Sequence, residues 1–70
     1  MDCNKLKGKI IEKGYSMKSF SSAVGISSVS LYRKMKGIRE FDRNEIEKIV
    51  ELLSLENEQI VDIFFNKKVS

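Results

Sequence analysis

Apolar residues recur along this chain at helical spacing, with almost no strict alternation. Leu6 and Ile10, with Ile11 as a possible third inward position, predict a helix over residues 4–13, capped by Asp2 or Asn4 and stopped by Gly14. Phe20, Ala23 and Val24 form a short stripe on a second helix over residues 17–24, opened by Ser16 and closed by Gly25. Leu31 and Met35, at i and i+4, predict a third helix over residues 28–36, ended by Gly37. The longest stripe, Ile46, Ile49, Val50 and Leu53, predicts a fourth helix over residues 43–53, which that continuity makes the structural centre. Asp42, three residues before Glu45, reads as its N-cap with a reciprocal partner. A fifth helix over residues 57–65 turns Ile60, Ile63 and Phe64 inward and leaves Val61 and Phe65 off the stripe. Phe41 returns to the core from the loop of residues 38–41, residues 54–56 are a link, and residues 66–70 should fray. Gly8 inside the first helix costs about 1 kcal/mol relative to Ala, so either the helix begins weakly or a neighbour packs closely there, and close packing is the favoured expectation. The expectation is a single all-α, five-helix domain spanning residues 1–70.

The connection between the second and third helices can be read residue by residue. Gly25 stands where a helix ends with positive φ, Ile26 plugs the angle, and Ser27 offers a hydroxyl to cap the next helix. Small Ser21 lets the two helices cross closely. Together these residues predict a helix-turn-helix.

The pattern Phe20-Ser21-x-x-Val24-Gly25-Ile26-Ser27, followed by Leu31-Tyr32-Arg33-Lys34-Met35-x-Gly37, resembles the small phage Cro and repressor-type (XRE-like) helix-turn-helix regulators. The phrases Glu40-Phe41-Asp42-x-x-Glu45-Ile46-x-x-Ile49 and Ile60-Val61-Asp62-Ile63-Phe64-Phe65 look like the short prophage-encoded members of that group. The resemblance covers nearly the whole chain and implies a lambda-repressor-like domain whose third helix enters the DNA major groove. Two positions depart from it: Ser21 stands where Ala is usual, and Met17-Lys18 replaces the usual Gln or Thr. A side-chain amide contact to phosphate is therefore not carried over, and Lys18 substitutes for it electrostatically.

Composition narrows the function classes. Seventy residues leave room for one thin core, of the order of ~60% of the unfolded chain's surface. No apolar run has the ~20 residues needed to cross a bilayer and no signal-peptide pattern opens the chain, so a soluble, cytoplasmic protein is expected, nucleoid-associated when bound to DNA. With no His and Cys3 as the lone cysteine, the common metal sites, nucleophilic triads and internal disulfides are excluded, and scattered glycines offer no phosphate-cradling loop. Glu47 and Glu51 at i, i+4 are a carboxylate pair on an exposed face, so neither an enzyme nor a cofactor is expected. The net charge is only +3, but it is polarised. Residues 15–43 carry six Lys or Arg against Glu40 and Asp42, whereas residues 44–66 carry six acids against Lys48. Such a field steers the basic face toward a polyanion.

With Leu31 and Met35 inward, the third helix displays Ser28, Val29, Tyr32, Arg33 and Lys36. Arg33 can fork onto guanine O6 and N7, Ser28 can exchange hydrogen bonds with several bases, and Val29 can touch a thymine methyl. Each of these also reads as an ordinary exposed or first-turn helical residue. Tyr32 belongs to the same arc, and either reaches a phosphate or sugar through its hydroxyl or leans on the core. Lys18, Ser27, Lys36, Arg39 and Arg43 are the candidates for the DNA backbone, with Arg43 equally able to pair with an acid of its own helix. The expected function is a sequence-specific double-stranded DNA-binding regulator that acts by occluding an operator. One such helix reads too few base pairs, so a palindromic operator and a homodimer are expected, formed through Val61 and Phe65 or only on DNA. The competing reading is a protein-interaction module on the same scaffold, with no DNA readout.

Overall fold

The structure, a computed structural model, describes residues 2–65; the fraying expected of residues 66–70 lies outside them. It is all-α, with five helices in chain order: α1 (Cys3–Glu12), α2 (Met17–Val24), α3 (Ser28–Met35), α4 (Arg43–Leu53) and α5 (Asn57–Phe64). Their boundaries follow from the caps. Asp2 takes the first N-cap, accepting from the Lys5 amide at 3.2 Å, so α1 begins ahead of Asn4. Ser16 and Ser19 form a reciprocal capping box at α2, as Asp42 and Glu45 do at α4. Lys36 and Phe65 are C-caps, so α3 and α5 each end one residue sooner than the apolar pattern suggests.

One device closes the first four helices. At α2, Gly25 sits at φ +95° while the Ile26 amide reaches back to the Ser21 carbonyl at 3.0 Å, satisfying a carbonyl that the helix end leaves open. The same backward bond runs from Tyr15 to Ile10, from Ile38 to Arg33 and from Leu55 to Val50. At α4 the left-handed position is held by Ser54, at φ +52°, where a Cβ is strained.

The core comprises Leu6, Ile10, Phe20, Val24, Leu31, Met35, Ile49, Leu53, Leu55 and Ile63. Tyr15 packs edge-on against Phe20 at 5.2 Å, and Phe41 and Phe64 meet in a T at 6.0 Å, returning Phe41 to the core as expected. The two ends of the described chain also meet: the Asp2 amide donates to the Ile63 carbonyl at 2.7 Å, and the Lys5 ammonium contacts Asp62 at 2.6 Å.

Several expectations are corrected. The centre is shared by two helices rather than held by α4 alone: α4 is tied to α3 by Lys34 and Glu45 and lines a groove with α5, while α2 packs on α1, α3 and α4. Its small residues allow this, since Ser21 is only 2% exposed and neighbours close over it. Ala23 lies on the exposed side of α2, because the inward arc is already filled by Phe20, Ser21 and Val24. Ile11 is 59% exposed, because Leu6 and Ile10 alone define the buried line of α1. Gly8 is not closely packed: a Cβ there would meet no atom within 4 Å. Leu55 is a core residue rather than part of a passive link. Ile46 and Val50 are half-buried, because the α4 stripe is wider than the core it faces. No helix among the described residues is long and apolar enough to cross a membrane.

Candidate nucleic-acid interface

The α2–turn–α3 unit is fixed at every joint. Ser16 caps α2, Gly25 and Ile26 turn the chain, and the Ser27 hydroxyl accepts from the Ser30 amide at 3.1 Å to start α3. Leu31 and Met35 then anchor α3 in the core. Anchoring these two positions orients Val29, Tyr32, Arg33 and Lys36 outward, whereas Ser28 stands on the anchored side at i−3 from Leu31 and is exposed as the first residue of α3. Tyr32 therefore does not lean on the core. Its ring carries the Lys36 ammonium at 4.9 Å from the centroid, a cation–π contact. Tyr32 is also the largest influence raising the Lys36 ammonium above its ordinary pKa of 10.5.

Lys18, Ser27 and Arg39 are also exposed, whereas Met17 is half-buried against the core. The first residue of α2 thus serves packing, and Lys18 is the exposed cation beside it. The Ser27 hydroxyl is engaged with the Ser30 amide and hydroxyl, both at 3.1 Å, so the group remaining to Ser27 at this corner is its backbone N–H. Arg43 contacts Glu47 at 3.4 Å on α4 and lines a largely apolar groove with Ile46, Val50, Ile60 and Phe65. The structure therefore groups Arg43 with the α4–α5 surface. Phe65, which lines that groove, is 63% exposed, and Val61, which does not line it, is 57% exposed.

Two features were missed in the sequence. The first is a half-buried ion pair, Lys34 with Glu45 at 2.5 Å, their side chains 15% and 12% exposed. Glu45 also accepts from the Asp42 amide at 2.9 Å, so one carboxylate caps α4 and ties α3 to it. Lys34 precedes buried Met35 on α3 as Lys36 follows it, so no local signal singles Lys34 out from the other cations. The second is the Ser21 hydroxyl, which donates to the Lys18 carbonyl at 2.7 Å and lies 3.4 Å from the Ser28 hydroxyl. Read as merely small, Ser21 is in fact a polar bridge between α2 and α3. Lys48 reaches the same turn, its Nζ 3.8 Å from where a Gly25 Cβ would stand. Among the described residues no group of three or more His, Cys, Asp or Glu side chains is placed to hold a metal ion.

Fold and surface define a small all-α five-helix domain with a capped helix–turn–helix unit and an outward polar and cationic arc. More particularly, the chain belongs to the family described as protein of unknown function (DUF739), whose model matches residues 1–67. No curated protein matches it.

Proposed function

We propose that this chain is a sequence-specific double-stranded DNA-binding transcriptional regulator of the Cro and repressor type. The observation that carries the reading is the exposed arc Val29, Tyr32, Arg33 and Lys36, with exposed Ser28 at the start of the helix, on a helix whose other side is locked by Leu31 and Met35. The α3 helix lies in the major groove, which is wide enough to admit it. Arg33 forks onto a guanine, Ser28 and Val29 address base edges near the start of α3, and Tyr32 and Lys36 flank them. Lys18, the Ser27 N–H and Arg39 hold phosphates on either side, and Arg43 adds charge at the start of α4. Two copies on half-sites about one helical turn apart supply the specificity that one helix lacks, and the bound pair occludes the operator. Phe65, which lines the α4–α5 groove, and exposed Val61 are the residues proposed to join the two copies.

The same apolar surface supports the second reading, a module that binds another protein and leaves DNA unread. In vitro selection from random duplex DNA separates the two. The wild type should enrich a two-fold related sequence, and Arg33→Ala should lose the preference at one position per half-site while circular dichroism stays helical. A folded protein that enriches nothing would refute DNA readout. Phe65→Asp should weaken self-association or cooperative DNA binding; a variant unchanged in both would remove this surface from the dimer.

A further inference from the structure

A serine hydroxyl has one proton to give and two lone pairs with which to accept. At Ser21 the proton is committed, because the acceptor at 2.7 Å is the Lys18 main-chain carbonyl, which cannot donate. The contact between the Ser21 and Ser28 oxygens, at 3.4 Å, can therefore be a hydrogen bond only if Ser28 donates. Ser21 is 2% exposed, so it is shielded from water that would otherwise supply an alternative donor to it. Ser28 is exposed and is the first residue of α3, at the end of the helix proposed to face the base edges.

We propose that Ser21 is a positioning residue that sets the hydrogen-bonding sense of Ser28. With its proton turned inward, Ser28 offers only lone pairs to DNA. It then favours an exocyclic amino group in the major groove, adenine N6 or cytosine N4, and disfavours guanine O6 and thymine O4, which present acceptors. The oxygen that a packing argument reads as a small filler thus becomes a determinant of base choice. This inference rests on the DNA-binding reading above. The preference should be about two- to tenfold, the value of a single hydrogen bond.

The test is selection from a random duplex pool with wild type, Ser21→Ala and Ser28→Ala at one stated salt concentration, with circular dichroism on each protein. Wild type should fix the orientation of one base pair per half-site, its amino group on the strand that Ser28 addresses, and Ser28→Ala should erase that preference. Ser21→Ala frees the Ser28 proton, so it should let the same pair also appear inverted while the other positions keep their wild-type preferences. Two outcomes would overturn the proposal: a selected sequence identical for Ser21→Ala and wild type, or a Ser28→Ala variant that loses no position. A wild type that enriches nothing overturns both this proposal and the DNA-binding reading, whereas an enriched sequence with either of the two overturns this one alone.

Discussion

The bond between Lys34 and Glu45 should hold α3 in place as well as stabilise the domain. Exposed ion pairs contribute about 0.2–1 kcal/mol, while breaking a fully buried pair costs about 3–5 kcal/mol because a charge is left unpaired. At 15% and 12% exposure this pair lies between these limits, nearer the buried one. Glu45→Gln keeps an oxygen for the Asp42 amide but turns an NH2 donor toward the Lys34 ammonium, so the charge-assisted bond is lost and a loss of about 2 kcal/mol is expected. In a domain of this size that lowers Tm by about 8–16 °C. Lys34→Met buries an isosteric apolar stem and leaves Glu45 capping α4, which should cost less. Thermal or urea melts of the two single variants and the double variant give the coupling directly, expected at about 1–2 kcal/mol. Additivity within about 0.5 kcal/mol would refute a direct interaction of this strength. Glu45→Ala also abandons the Asp42 amide and should cost about 1 kcal/mol beyond Glu45→Gln.

Other consequences follow from the same geometry. Gly8→Ala should stabilise by about 0.5–1 kcal/mol in urea melts, because α1 gains helix propensity and a methyl there meets nothing. Ser54→Gly should stabilise by about 0.5–1 kcal/mol, since it relieves a left-handed residue at the end of α4. DNA affinity should fall with salt at a log–log slope of about −0.9 per phosphate neutralised, and Arg39→Ala should reduce that slope by about one phosphate contact. Lys34→Met, whose ammonium is turned toward Glu45, should leave the slope unchanged. The Lys5 ammonium is raised above 10.5, chiefly by its hydrogen bond to Asp62; its contribution is therefore complete below pH 10.5 and lost as pH rises through the higher folded value. Lys5→Met should flatten that alkaline loss in melts run on either side of pH 10.5.

The helix ends were the most legible part of the fold, because caps are local: Asp42 with Glu45, Ser16, Ser27 and Gly25 each satisfy backbone groups only a few residues away. The inward stripe on α3 was equally readable, and with it the outward arc. What stayed hidden depends on distance in sequence. Nothing near Lys34 shows that Glu45, eleven positions on, will meet it. Nothing near Ser21 shows that its oxygen will face Ser28. Ile11 and Ala23 were misplaced because an apolar residue beside a stripe is compatible with either face, and only the volume available in the core decides. Leu55 was missed because a single apolar residue between helices has no period to betray it.

The junction of Asp2 with Ile63, reinforced by Lys5 and Asp62, makes opposite ends of the sequence neighbours in space. Every other major helix contact spans at most two connections, whereas this one closes a ring of nearly the whole chain. Such a closure carries the largest loop-closure entropy of the helix contacts described. The Asp2 amide, the donor in this junction, should then exchange with solvent deuterium whenever α1 and α5 part, and a truncation at one end should be felt as loosening at the other.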